Sequence, residues 1–366
     1  MSKEINHDPI FASFKIGDHS AQFSAQRYGA RTDVFDKLIS GTHSHYWDPS
    51  DDRYIDFSSP FDLTTQLVLP MEVFPEFDTP SIRQLSNSQK IALANDNAHW
   101  MVSSLLHGEQ AALSLCSSLT NTLVDPGGQE YASNQAREEA RHVNAFTRYI
   151  EARWATPLEP GPALGGLLTE LVCAPEVYKK LIGMQILVEG LAMGMFAVIH
   201  ALTNDPVLKR LTQLVMTDET FHHKFGKTWA ARTVPNTTPD EHIILEDWAA
   251  HCFEKLLLNL MNIKERKQIF AKHGLPWEII SKECESLFSE DSQREKMQQQ
   301  GNVFRVLVRT LVKSGIITER TRPIYARWLD VEQVCKEEDV LDVVGEIVSQ
   351  QGISLLKALN GQTSAN

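Results

Sequence analysis

Paired cysteines are missing from this sequence. Its five cysteines, Cys116, Cys173, Cys252, Cys284 and Cys335, stand singly with no Cys-x-x-Cys, which argues against a zinc knuckle, a rubredoxin-type iron centre or a disulfide framework and fits a reducing cytoplasm. A surplus of positive charge is missing too. The 35 Lys and Arg face 47 Asp and Glu, a formal charge of −12, the wrong sign for wrapping phosphate backbones or anionic lipid. Nucleic acid is therefore not an expected partner. Residues 1–10 lack the basic start and apolar stretch of a secretory signal, so export is not expected. Long apolar runs are nearly absent, the exception being residues 181–202, where Gln185, Glu189 and His200 are the only polar side chains. Length alone would permit a membrane span there. A central glutamate is costly in lipid and no second such run exists, so a buried helix in a soluble bundle is expected and no membrane.

What remains is a chain of 366 residues whose 42% apolar and 22% charged composition suits an ordinary globular protein with a large core. Residues 1–86 are rich in Pro, Asp and aromatics and read as an irregular arm with one short helix near 24–39. Residues 91–123 carry apolar residues at helical spacing after a Ser86 or Asn87 cap, and Asp125-Pro126-Gly127-Gly128 then reads as a break. Further helices are expected over 129–154, 164–173, 181–204 and 206–233, the last opened by Asp205 and Pro206. Beyond Pro239 the periodicity stays helical over 241–262, 277–288, 294–314 and 331–358. No strand is expected. The expected organisation is an arm (1–86), a four-helix bundle (87–234) and a C-terminal helical extension (235–366).

Two of the bundle helices carry Glu-x-x-His: Glu139-Ala140-Arg141-His142 and Glu219-Thr220-Phe221-His222. The i, i+3 spacing puts carboxylate and imidazole on one helical face. Alone the motif is weak, since the pattern also occurs at Glu4 to His7. Its context is stronger. Glu109 precedes Glu139 by 30 residues and Glu189 precedes Glu219 by 30, so one helix pair is repeated. Glu109 shares a face with Val102, Leu105, Ala112, Leu113 and Cys116, and Glu189 with Ile186, Ala192, Met193 and Phe196. Burying isolated carboxylates costs several kcal/mol each, so four of them converging must be protonated, paired with cations or bound to metal. Two divalent metals would offset about four such charges, and imidazole nitrogens suit iron or manganese better than calcium.

This arrangement resembles the ferritin-like, ribonucleotide-reductase-like di-iron carboxylate superfamily, over residues 91–233. The resemblance implies an all-α, ferritin-like four-helix bundle. In it Glu109, Glu139 and His142 would serve one iron and Glu189, Glu219 and His222 the other, with Glu139 and Glu219 as bridging candidates. It also implies that Glu138 and Asp218 hydrogen-bond the opposite ligand histidine. Glu138 competes with Glu139 as a ligand, and His223 with His222; the parallel Asp218-Glu219 pair favours the second acid. For the helix over 129–154 alone, Arg137 and Arg141 allow a surface salt-bridge pattern instead.

The resemblance departs from several branches. Phe146 stands where reductase subunits carry a radical-bearing tyrosine. Met193 stands where hydrocarbon hydroxylases usually have a threonine, and Val215 where arylamine N-oxygenases have an extra histidine ligand. The reading that results is a non-haem di-iron oxygenase, holding two Fe ions or an Mn/Fe pair. It would use O2 to hydroxylate or N-oxygenate an apolar or aromatic small organic substrate, with electrons from a separate reductase or ferredoxin. The alternatives are a ferroxidase or a di-iron desaturase or oxidase. Met193, Phe196 and Phe146 are candidates for the substrate pocket, whereas Met184 and Met195 read as core. Gly190 and Gly194 would admit a neighbouring helix or a substrate near the metals. His43 and His45 read as ordinary hydrogen-bonding loop residues. A homodimer through exposed helix faces and a cytoplasmic location complete the expectations.

Overall fold

A computed structural model describes residue 5 and residues 8–15, 18–299, 302–336 and 340–363. The fold is all-α. Among the described residues there is no strand, and Ser13 and Leu123 form an isolated bridge. The principal helices are α1 (Asp36–Ser44), α2 (Asn87–Thr122), α3 (Pro126–Trp154), α4 (Pro162–Cys173), α5 (Val177–Leu202), α6 (Pro206–Thr233), α7 (Pro239–Met261), α8 (Val303–Lys313) and α9 (Val340–Thr363). Helices α2, α3, α5 and α6 surround the centre, with α2 along α3 and α5 along α6.

Local chemistry sets most of the boundaries. A capping box opens α2: the Ser86 hydroxyl accepts from Gln89 N and the Gln89 side chain accepts from Ser86 N. The expected break at 125–128 is instead the first turn of α3. Asp125 caps it by accepting from Gly128 N at 3.0 Å, and Pro126 occupies a first-turn position that needs no amide donor. Gly127 is required there because a Cβ would lie 2.8 Å from the Thr32 carbonyl oxygen of the arm. The same logic opens α6, where Asp205 caps Val207 N ahead of Pro206.

Other boundaries differ from those expected. The helix foreseen near 24–39 is the short Ala25–Tyr28 followed by α1. The helix foreseen over 294–314 is two, Glu290–Gln298 and α8, because the Asn302 side chain caps Phe304 N and starts a new helix. The stretch 331–358 divides into Val331–Cys335 and α9, with 337–339 outside the described residues. Within α5, Leu181–Val188 is π-helical, an i→i+5 widening that apolar periodicity does not announce.

The arm and the C-terminal helices close over the bundle. Trp47, Val68 and Leu69 of the arm are buried with Phe146, Ile150 and Leu211 in one core cluster. Asn95 of α2 holds the arm in place by donating to Leu63 O and Gln66 O and accepting from Val68 N. The apolar α5 passes the length and composition test for a membrane crossing. Its partners are α6, α7, α8 and α9, and Gly190 and Gly194 are the contact with α8. A Cβ on either would meet Leu307 or Val303 at 2.7 or 2.3 Å, so a neighbouring helix occupies that face.

Buried carboxylates tie the extension down. Glu246 of α7 accepts from Thr318 N, the Thr318 and Thr321 hydroxyls and Arg320 Nε. Burial opposes its ionisation, but these donors prevail and hold it below the usual 4.5. Its stabilisation is therefore present above about pH 4.5 and lost as pH falls through the lower folded-state value. Glu246→Gln should cost about 1.5–3 kcal/mol at pH 7, and its melting-temperature gap from wild type should close on acidification toward pH 3. A gap independent of pH would contradict the assignment.

Candidate metal centre

Six side chains converge at the centre of the bundle: Glu109 from α2, Glu139 and His142 from α3, Glu189 from α5, and Glu219 and His222 from α6. All are buried, and both imidazoles are fully inaccessible. They form two overlapping sets, Glu109, Glu139, His142 and Glu219, and Glu139, Glu189, Glu219 and His222. Within each set one donor atom per residue lies within 4.8 Å of the others. Glu139 and Glu219 belong to both, which is the geometry of two cation positions sharing two carboxylates.

The imidazoles are oriented by groups outside these sets. His142 Nε2 donates to Asp218 Oδ2 at 2.9 Å, and His222 Nε2 donates to Glu138 Oε2 at 3.0 Å. A carboxylate only accepts, so each Nε2 carries a proton and Nδ1 is the atom turned to the site, where a metal would replace its proton. Nδ1 of His142 lies 3.0 Å from Glu109, 3.3 Å from Glu139 and 3.2 Å from Glu219. Nδ1 of His222 lies 3.0 Å from Glu139 and 3.1 Å from Glu219. The wiring is crossed: the acid preceding each Glu-x-x-His holds the histidine of the other helix, which clamps α3 to α6.

Asp218 is held more firmly than Glu138. Its Oδ2 also accepts from Trp47 Nε1 at 2.8 Å and from Arg141 at 2.7 Å. The Arg141 guanidinium lies over the Trp47 ring, 4.9 Å from its centroid, and that indole runs nearly parallel to the His142 ring. Arg141 is thus an inward, buried residue and makes no surface salt bridge. Burial opposes ionisation of Asp218, but Arg141 and His142 hold it down at about 2.

Without cations the site balances its charge with protons. Burial pushes Glu109 up to about 8 and also raises Glu189. Burial acts the same way on Glu139 and Glu219, yet the neighbouring imidazoles prevail and hold both low, Glu219 at about 2. Burial disfavours the charged form of His142 and His222, but the surrounding carboxylates raise both well above 6.5. Even so, Glu139 Oε2 and Glu219 Oε1 are buried with no hydrogen-bond donor. Orphaned carboxylate oxygens beside inward-turned imidazole Nδ1 atoms are what divalent metal would satisfy, and the mixed N/O donor set suits iron or manganese.

Several contributors carry no motif. Gln135, one turn before Glu139, donates to Glu139 Oε1 at 3.0 Å and reaches Gln185 Oε1 and Glu189 Oε1 at 3.3 and 3.5 Å. Gln185 Nε2 faces Cys116 Sγ at 3.6 Å. The π-helical turn carrying Gln185 ends at Glu189, whose amide bonds to Met184 O. The Gln185 carbonyl accepts from Nδ1 of His223 at 3.2 Å, which places His223 on the backbone of α5 and outside the two sets. Gly226 admits α6 against this turn, since a Cβ there would lie 2.8 Å from Gln185 Cβ. Their one sequence signal was polar side chains on otherwise apolar helix faces.

A cavity of about 120 Å³ opens onto Glu109 and Glu189, between α2, α4, α5 and α7. Met184, Ala192 and Met195 line it. Met193, Phe196 and Phe146 do not: Phe146 and Phe196 are fully buried and stacked, centroids 5.8 Å apart, and Met193 packs against the same cluster. The physical reason is helical phase. The face of α5 that follows Glu189 toward Phe196 meets the aromatic core shared with α3, whereas the cavity lies on its α2-facing side. His43 contacts the Asn134 side chain and His45 packs on Phe221, both outside the two sets.

No protein-family model matches the sequence and no curated protein matches it. Among solved structures, a variant of an R2-like ligand-binding oxidase with an aerobically reconstituted Mn/Fe cofactor aligns over 89% of this chain and 93% of its own, at 15% identity and a TM-score of 0.35. A second variant of that oxidase, also aerobically reconstituted, gives 14% and 0.34 over the same shares. A third, anaerobically reconstituted, gives 15% and 0.34.

Asp218→Asn should weaken metal binding about 10- to 100-fold, because an amide can turn its NH2 toward Nε2 and disturb the histidine tautomer. Glu219→Ala should remove paired binding altogether. Metal content per chain after anaerobic loading with Fe(II) or Mn(II) measures both, and unchanged stoichiometry in both variants would refute the ligand assignment.

Proposed function

We propose that this protein is a dinuclear non-haem metal oxidoreductase that uses O2 to oxidise a small, largely apolar organic molecule. The observation that carries the reading is the pair of overlapping Glu/His sets opening onto an apolar cavity at Glu109 and Glu189. Glu109, Glu139 and His142 would hold one ion and Glu189, Glu219 and His222 the other, with Glu139 and Glu219 between them. The ions are two Fe or an Mn/Fe pair, and when bound they supply the electrons and open coordination positions that O2 reduction requires.

The chain's own residues do the rest. Glu138 and Asp218 keep each Nε2 protonated and each Nδ1 directed inward. Gln135 holds one Glu139 oxygen, and with it the orientation of a bridging carboxylate. The apolar walls keep bulk water from the side where substrate meets the site, which strengthens electrostatic interactions there and limits unproductive reduction. In the monooxygenase form of the reaction, one oxygen atom of O2 enters the substrate and the other leaves as water, consuming two electrons and two protons. A separate reductase or ferredoxin supplies the electrons. An iron-handling role is the rival, but an Fe(II) route would be lined by acids. Among the described residues, Glu109 and Glu189, at the metal end, are the only acidic ones on these walls.

Protein loaded with two irons per chain and reduced should consume O2 faster when its organic substrate is present and form one oxidised product. Glu189→Ala should abolish both. Rapid Fe(II) oxidation with mineral accumulation, indifferent to any organic molecule, would favour the ferroxidase instead.

A further inference from the structure

The cavity beside Glu109 and Glu189 has an unpartnered polar atom in its wall away from the metal end. Asn259, on α7, lines it while being buried, and its Oδ1 has no hydrogen-bond partner. A buried amide oxygen left unpaired is costly, so its place in a cavity wall points to a ligand that donates to it. Around it the walls are apolar, with Met101, Leu105, Leu168, Met184, Ala192 and Met195 among them. Ser104 has its hydroxyl proton committed to Trp100 O at 2.9 Å. Among the described residues no Lys, Arg or His lines the cavity, so away from the metal end nothing in the walls would compensate an anionic ligand.

Gly108 adds a second observation. It lies in the middle of α2 and lines the cavity, and a Cβ built on it meets nothing within 4 Å. A glycine inside a helix is unfavourable on its own account. Here the missing side chain leaves space next to Glu109 that a larger residue would fill. The volume of about 120 Å³ is near that of a cavity holding one benzene ring, roughly 150 Å³.

We propose that the cavity binds a neutral single-ring molecule, or an aliphatic one of equal size, bearing one O–H or N–H donor. Asn259 Oδ1 accepts from that donor and the apolar body lies against Gly108 beside the metal pair. The inference deepens the proposed function and rests on it for the reaction, but not for the binding step. It makes Asn259 a specificity determinant that selects a phenol- or arylamine-like molecule over a hydrocarbon or a carboxylate.

Calorimetric titration with toluene, phenol, aniline and benzoate tests this, on metal-loaded protein kept anaerobic and on metal-free protein, with metal stoichiometry measured on the same samples. Phenol or aniline should bind about fivefold or more tightly than toluene, the worth of one net hydrogen bond, and benzoate should bind least to the metal-free protein. Whichever of phenol and aniline binds better identifies the donor as O–H or N–H. Asn259→Leu should abolish or invert the preference over toluene. Gly108→Leu should weaken the whole series at least tenfold with the melting temperature unchanged or higher, so the inference stays testable should the Asn259 variant not fold. Equal binding of toluene and phenol, strongest binding of benzoate to the metal-free protein, or a Gly108→Leu variant that binds like wild type would overturn it. Metal uptake without binding of the series defeats this inference alone, whereas phenol binding with no metal uptake defeats the proposed function and leaves the ligand assignment standing.

Discussion

Four carboxylates facing one another inside a bundle are unstable unless positive charge joins them. That constraint organises the centre of this molecule. Placed in a low-dielectric interior, Glu109, Glu139, Glu189 and Glu219 repel one another and lose hydration, a cost of several kcal/mol per ion even after relaxation. The interior offers two imidazoles, one guanidinium bound to Asp218, and protons. Divalent cations satisfy the same demand more fully, since two of them match four carboxylates and would reach the Glu139 and Glu219 oxygens left without a hydrogen bond. Protons and metal are alternative answers to one electrostatic problem, so metal loading displaces protons from the site.

The two sides of the centre differ in kind. On one side α3 and α6 are cross-clamped through His142–Asp218 and His222–Glu138, and the arm closes over them with Trp47. That side is charged and buried. On the other side α2 and α5 bring Glu109 and Glu189 to the edge of an apolar cavity. There α5 widens into a π-helical turn immediately before Glu189, a local departure of the kind found at functional positions. Imidazoles held by carboxylates on one side lie opposite carboxylates that edge a cavity on the other, and the proposed organic ligand lies on the cavity side.

The segments outside the bundle also shape the centre. The arm supplies Trp47 to Asp218, and α7 supplies Asn259 to the cavity. α8 packs into the notch left by Gly190 and Gly194, and α9 approaches α6 at Gly352, where a Cβ would lie 2.1 Å from Thr217 Oγ1. Core residues from arm, bundle and extension form one continuous cluster, Phe11, Leu115, Phe225, Leu256 and Leu311 among them.

The sequence by itself determined the all-helical class, the long central helices and the six residues that meet. Helical period and the paired 30-residue spacing are local properties, readable wherever a residue's face follows from its neighbours along one helix. Caps were partly legible. Asp205-Pro206 reads as a helix start, whereas the glycines that follow Asp125-Pro126 obscure the same signal and make it read as a break. The tertiary structure alone decided the inward turn of Arg141, the bonds from Gln135 and Trp47, the partner of His223 and the side of α5 on which the cavity opens. It also placed Met193, Phe196 and Phe146 in an aromatic core where a pocket wall had been expected. Each of these depends on which helix comes to lie opposite, and on how closely a glycine lets it approach. The cavity's one unpaired amide comes from a helix beyond the bundle, 150 residues from Glu109 along the chain, because a concave site is defined by surfaces that only folding brings together.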